Sequence, residues 1–225
     1  RLKQEFFLTS AALQDILRRF KNRHSDLRAL PKFAAIQMND THPAIAGPEL
    51  IRLLMDENGM EFADALEVAQ QCLGYTNHTL LPEALERWAT FTFGNVLPRH
   101  MQIVERIDSW HRTAFHPPHY IGIVKHHEVR MGELAFIMAH KVNGVSALHS
   151  ELVKTDLFPE LNALHPDRVM NQTNGVTPRR WLKMSNRPLS NLITQTIGTG
   201  GEVELNRLPR MEKRNDDKGL SKKCE

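Results

Sequence analysis

The stretch YTNHTLLPEALE at residues 75–86 gathers Tyr75, Asn77 and His78 just ahead of Pro82, where an acidic helix is predicted. An imidazole and an amide at a strand-to-helix edge can donate to and accept from hydroxyls, and α/β proteins collect binding groups at such edges. Two further segments have the same character: NDTHP at 39–43, with Asp40 and His42, and TNGVTPRRW at 173–181, with Asn174 and Trp181. Side chains suited to gripping sugar hydroxyls thus recur at three loop positions.

Each segment also has a plainer reading. Taken alone, His78 is equally a satisfied core or loop histidine; its neighbours Asn77, Thr79 and Tyr75 favour hydroxyl binding. Glu83 and Glu86 could act as general acids, but three apart on a helix beside Arg87 they read better as a solvated face with local ion pairing. Asp40 and Thr41 can close a turn on their own backbone. The functional alternatives for Asp40 and His42 are sugar binding and ligation of a divalent ion, and no HExxH-type spacing accompanies them. Asn174-Gly175 is a turn signal, and Trp181 could be core. Arg179 and Arg180 fall in a first helical turn, where the dipole disfavours cations, which hints at an anionic or tertiary partner. The histidines between 111 and 127 lack a helical frame and read as incidental.

Composition narrows the classes. The 225 residues are 41% hydrophobic and 24% charged with a formal charge of +3, the profile of a globular chain able to bury a core. No stripe of Lys and Arg with interleaved aromatics supports nucleic-acid binding. No apolar run reaches the roughly 18 to 20 residues of a membrane span. Cys72 and Cys224 suggest neither a disulfide framework nor a metal site, which points to a reducing compartment, the cytoplasm.

The elements that must position these residues alternate in type. Helices are expected over 1–20, 48–57, 62–73, 82–88, 98–110, 146–154, from Thr177 (N-cap) and Pro178 through Leu182, and over 189–197. Gly74 is read as the stop of the 62–73 helix. Short strands are expected at 33–38 and 75–79, with order returning at 134–138 and 142–145 after a stretch without periodicity from Ser109 to Arg130. This alternation indicates an α/β architecture with a mainly parallel sheet. The charged residues after 201 are expected to be poorly ordered.

The segments together resemble the α-glucan phosphorylases, the family of glycogen, starch and maltodextrin phosphorylases. The matching runs are RLKQEFF through LQDILRRF at 1–20, NDTHP at 39–43, YTNHTLLPEALERW at 75–88, LPRHMQIVERI at 97–107, HKVNGVSALHSELVK at 140–154 and TNGVTPRRWL at 173–182. The resemblance implies part of a two-domain Rossmann-like fold of the GT-B type. It also implies phosphorolysis of terminal α-1,4-glucosidic bonds to α-glucose 1-phosphate, with α-1,4-glucan and inorganic phosphate as partners, pyridoxal phosphate as cofactor, and a homodimer in the full-length enzyme. By the same resemblance His78 and Asn174 contact the glucosyl unit at the cleavage site. Asp40, His42 and Asn77 line the substrate-binding loops, and Trp181 lies near the cofactor.

Three departures shape the expectation for this chain. It opens without methionine within a helical pattern, the family is several-fold longer, and no Gly-Thr-Gly-Asn-Met-Lys-like run supplies the cofactor lysine: Gly198-Thr199-Gly200 is followed by Gly201-Glu202. The segment 109–128 is altered against the family pattern. The chain is therefore read as an internal fragment: 1–174 from the N-terminal glucan-binding domain, 175–200 opening the C-terminal cofactor domain, and 201–225 a divergent charged tail. Pyridoxal phosphate binding by this piece alone is doubtful on the same grounds. The rival readings are a non-catalytic glucan-binding remnant of the same fold and a metal-dependent hydrolase built on Asp40 and His42.

Overall fold

A computed structural model describes residues 1–201 and 204–214, which belong to two compact units, Arg1–Thr173 and Asn174–Glu225. Cys224 and the tail beyond 214 lie outside the described residues.

The first unit opens with α1 (Leu2–Lys21), which buries Leu13, Leu17 and Phe20 along one face and ends in Arg18, Arg19 and Lys21, where cations suit the dipole. After a 3₁₀ turn, β1 (Ile36–Asn39) leads to α2 (Ala46–Asp56), then α3 (Phe62–Cys72) and β2 (Leu73–Thr76). Gly74 is not a helix stop: Leu73 is already extended, and Gly74 pairs with Gln37 inside the sheet. Burial of Leu73 and Tyr75 draws the chain straight from helix into strand.

The expected helix at 82–88 is a further correction. Pro82–Ala84 make a single 3₁₀ turn, and Arg87–Ala89 form β3, whose Trp88 faces Val129 across an antiparallel pair. Tertiary pairing outweighs the helical propensity of the Glu-Ala-Leu-Glu run. Glu86 is accordingly not on a solvated face. Its side chain is 11% exposed, bound to Arg1 at 3.2 Å, and its carboxyl is pushed up to about 7, first by burial and then by the charge of Glu5.

Following α4 (Thr90–Val96), α5 runs Pro98–Phe115, past the point where periodicity fails in the sequence. His111 continues the buried line of Val104 and Ile107, so an imidazole occupies a core position that an apolar residue would have signalled. His116, with φ 47°, ends the helix. β4 (Val124–Lys125) and β5 (Glu128–Arg130) then form a hairpin with β3 on its far side. Next come α6 (Met131–Met138), buried nearly throughout, and β6 (Lys141–Gly144). The helix expected to reach Lys154 is α7 (Ala147–Leu152), which widens into a π turn at Val153–Leu157. Finally α8 (Pro159–Leu164) precedes β7 (Val169–Asn171). The main sheet has order β1-β2-β6-β7 with every pair parallel.

In the second unit Thr177 contributes its carbonyl, accepting from Trp181 N–H at 3.1 Å, and no side-chain cap opens the π-helical segment Arg179–Met184. Asn186 caps α9 (Arg187–Ile197) through Leu189 N–H, and Gly198 ends it at φ 84°. Residues Leu205–Arg214 form 3₁₀ turns.

Helices α1, α2 and α5 meet at Glu49, a side chain with no exposure. It accepts from Ser10 Oγ (2.6 Å), Arg52 Nε (2.7 Å) and Arg52 Nη2 (3.0 Å), with His100 Nε2 at 2.6 Å. Burial alone would raise its carboxyl, but the bonds from His100, Arg52 and Ser10 outweigh that and hold it down at about 2.

Farther along α5, His111 and His165 pair at 3.1 Å between ring nitrogens, among Trp110, Phe115 and Phe136. Burial, then the Arg168 charge, pushes both imidazoles down to about 4. Because both folded values lie below the ordinary value of about 6.5, their contribution is fully present above that pH and is lost as pH falls toward 4. Urea titrations between about pH 7 and about pH 5 should show stability dropping by a few kcal/mol, roughly 1.4 per pKa unit displaced. Replacing both histidines with leucine should flatten that dependence, and a flat wild-type profile would contradict it.

The β4–β5 loop is two residues long, and both His126 (φ 50°) and His127 (φ 60°) occupy the left-handed region. That geometry suits Asn-Gly, not His-His. His127→Gly should raise unfolding stability by about 1 kcal/mol in denaturant titration.

Candidate functional site

The C-terminal ends of β1, β2 and β6 lie side by side because β2 neighbours both of the others. One row of the ladder sets Asn39, Thr76 and Asn143 abreast. Asp40 extends that row, its N–H donating to the Thr76 carbonyl at 3.0 Å, and its carboxylate accepts from Thr41 N–H at 2.6 Å. Its φ of 72° puts a non-glycine residue in the left-handed region at the strand end, which aspartate tolerates better than most. His42 follows on the same loop, half-buried.

Asn77, fully buried, is locked by three bonds. Its backbone N–H donates to the Asn143 carbonyl (3.0 Å), its amide to the Tyr75 hydroxyl (3.1 Å), and its side-chain oxygen accepts from Thr79 N–H (3.1 Å). Tyr75 beneath it stays a neutral phenol, its titration pushed up by burial against the opposing bond from Asn77. His78 is exposed, and its Nε2 lies 2.6 Å from Asn39 Oδ1. An amide oxygen only accepts, so Nε2 carries the proton and Nδ1 is left as the ring's lone-pair acceptor.

At the end of β6, Ser146 Oγ accepts from His149 N–H at 3.1 Å while His149 Nδ1 accepts from Val145 N–H at 3.1 Å. Ser150 Oγ bonds the Ser146 carbonyl (2.8 Å) and Asn171 Oδ1 (3.1 Å). Three buried polar atoms at this edge, Thr41 Oγ1, Asn143 Oδ1 and His149 Nε2, find no hydrogen-bond partner among the described residues. Native interiors rarely leave such atoms unmatched, so the edge has spare capacity to bond hydroxyls.

The structure thus brings Asp40, Asn77 and His78 to one edge, with His42 on the adjoining loop. Sequence reasoning gave no role to Asn39, Asn143 or His149. Their signals were available: two asparagines at strand ends, and a Ser-x-x-His spacing that mimics a capping box. Among the described residues no three His, Cys, Asp or Glu side chains converge as a metal ion would need. Asn174 and Trp181 belong to the second unit. Asn174 is exposed, and a Cβ added at Gly175 would meet nothing, so the glycine of this turn signal answers to no crowding.

The sequence model of the carbohydrate phosphorylase family matches residues 1–225. The chain belongs to that family. Similar proteins include a glycogen phosphorylase of Chlamydia trachomatis, 42% identical over 233 aligned positions that cover 98% of this chain and 28% of the relative. The liver-form glycogen phosphorylase of Ovis aries is 41% identical, covering 94% of this chain and 27% of its own length. The cytosolic alpha-glucan phosphorylase 2 of Arabidopsis thaliana is 42% identical, covering 88% and 26%. The phosphorylase chain described here therefore spans about a quarter of the length of these relatives.

The family resemblance calls for pyridoxal phosphate, which needs a lysine for its aldehyde and an enclosed set of donors for its phosphate. Trp181 is 67% exposed, and Arg179, Arg180, Lys183 and Met184 around it are exposed as well. Among the described residues these form no cradle for the group.

Close approach of α7 to β6 fixes the geometry of this edge. A Cβ at Gly144 would lie 2.2 Å from Ser150 Oγ and 2.7 Å from Ser150 Cα. Gly144→Ala should cost about 2 kcal/mol or more in denaturant unfolding. Adding Ser150→Ala should recover only part of the loss, because the Cα conflict is with backbone; full recovery would show that the clash is with the hydroxyl alone.

Proposed function

We propose that this chain supplies the glucan-facing edge of an α-1,4-glucan phosphorylase. In the overall reaction the bond from glucosyl C1 to the glucan oxygen breaks, a bond from C1 to a phosphate oxygen forms, and the departing oxygen takes a proton. The observation that carries the reading is the His78–Asn39 pair at 2.6 Å on a strand-end edge, in a chain whose relatives are named glycogen and alpha-glucan phosphorylases. His78 Nδ1 accepts from a glucosyl hydroxyl while Asn39 fixes the ring. Asn77 acts behind it, setting where His78 stands. Asp40 and His42 hold the neighbouring loop against the glucan, and the Asn174 amide is a further hydroxyl-binding candidate. Trp181 has no part in this reading, because it and its neighbours are exposed and form no cradle for pyridoxal phosphate.

Within these 225 residues the binding half of the chemistry is better represented than the transfer half, so recognition without turnover is the expected behaviour of the isolated chain. A cytoplasmic setting goes with the reading. It is supported by the buried free thiol of Cys72 and by a relative named as cytosolic, and no helix among the described residues is long and apolar enough to cross a membrane.

Maltoheptaose titrated calorimetrically into the chain should bind saturably. His78→Ala should weaken that binding roughly tenfold, the worth of one hydrogen bond of about 1.4 kcal/mol. With phosphate and pyridoxal phosphate added, no glucose 1-phosphate should accumulate. Saturable binding unaffected by His78→Ala would remove His78 from the site, and steady glucose 1-phosphate release would overturn the expected lack of turnover.

A further inference from the structure

We propose that His149 is a positioning residue of the glucosyl site, holding the turn after β6 beside His78 through Val145 N–H, and able to do so only as the neutral imidazole. The inference rests on the glucan reading for its functional consequence, and on the local geometry for the hold itself.

That hold is reciprocal. Ser146 Oγ accepts the His149 backbone N–H at 3.1 Å, and the His149 ring returns an acceptor, Nδ1, to Val145 N–H at the same distance. Together the two bonds fasten the residues that connect β6 to the first turn of α7. An acceptor at Nδ1 requires the ring proton to sit on Nε2, and Nε2 is buried without a partner. A second proton would have to go on Nδ1, where it would point at the Val145 N–H and break the bond. It would also leave a cation on which no acidic group of the described residues acts.

The charges on surrounding elements are committed elsewhere. Lys154 pairs with Glu151 at 2.9 Å one turn on, Lys141 of β6 donates to the Asp167 carbonyl at 2.6 Å, and Asp156 of the π turn accepts from Thr155. From the segment after β2, the ring of His78 is the group that reaches His149 electrostatically, and it acts after burial to push protonation of His149 below the ordinary histidine range. Burial, the larger cause, favours the neutral ring near pH 7. The sign follows: the hold is complete above the ordinary histidine value and is lost as pH falls through the depressed folded value.

The two histidines are therefore coupled. His78 contacts the sugar, while His149 fixes the turn beside it and resists acquiring a charge that would oppose any charge on His78. Acidification releases Val145 and loosens one side of the edge before the fold itself is lost.

The test combines two readouts on the 225-residue chain. In ¹⁵N-labelled protein the Val145 amide resonance should move with the His149 ring as pH drops from about 7.5 to about 5. In His149→Asn, whose Oδ1 replaces Nδ1 as acceptor but cannot titrate, the Val145 resonance should stay fixed. Maltoheptaose affinity should fall on the order of tenfold over the same range in wild type, a loss near 1.4 kcal/mol. In His149→Asn it should fall less. A Val145 resonance that ignores His149, or acid limbs of binding identical in wild type and His149→Asn, would overturn the proposal. If wild type binds no maltoheptaose at any pH, the glucan reading fails and the Val145 measurement decides the hold by itself.

Discussion

Glu49 is a carboxylate stripped of water at the junction of three helices, and the packing of the first unit turns on how its charge is met. Desolvating such a group is costly, and a lone partner would not offset it. Here Ser10 of α1, Arg52 of α2 and His100 of α5 all converge on its two oxygens. The arrangement is directional as well as stabilising, because three elements must reach their places together for any one bond to be worthwhile. Arg52 is itself shared with Glu57 at 3.0 Å, and Asp56 at the end of the same helix binds Arg99, so the first turn of α5 meets α2 through Asp56 as well as Glu49.

That constraint reaches the candidate site through the chain. The Asp40–Pro43 loop leaves β1 in a left-handed turn tied to Thr76 and passes into α2, whose fourth residue is Glu49. The loop is fixed at one end by a sheet hydrogen bond and at the other by the buried charge. Across β2, Asn77 links the next loop to the β6 backbone, and the Ser146–His149 exchange closes the third side. Each of the three loops is thereby tied down through at least one backbone group.

Much of this was legible in the sequence, and the failures are instructive. Apolar periodicity located α1, α3 and α9, and the short apolar run ending in Asn-Asp located β1. The sequence motifs identified the family before any geometry did. What periodicity could not reveal was a histidine used as a core residue, so α5 was cut short at the point where His111 turns inward. Local propensity likewise favoured helix at 82–88, where a three-residue strand is decided by Trp88 and Val129, partners far apart in sequence. Within the site, His78 and Asn77 stood out because they cluster with other polar residues. Asn39, Asn143 and His149 did not, since their meaning depends on which strands are neighbours.

Strand order also governs when the edge can exist. Joining β1 to β2 closes over residues 40–72, and joining β6 to β7 over 145–168, spans of 33 (72 − 40 + 1) and 24 (168 − 145 + 1) residues. Joining β2 to β6 closes over 77–140, 64 residues (140 − 77 + 1). By loop-closure entropy that central pairing is dearer than the β6–β7 one by about 1 kcal/mol. Non-local parallel pairings of this kind form slowly. A folding chain can therefore assemble the α2–α3 layer on β1 and β2, and separately the α7–α8 layer on β6 and β7, before the two halves zip along Gly74–Thr76 and Lys141–Asn143. Since Asn77 and Asn143 meet only across that seam, the polar edge is completed by the last join, and a chain arrested short of it carries both sides of that edge unjoined.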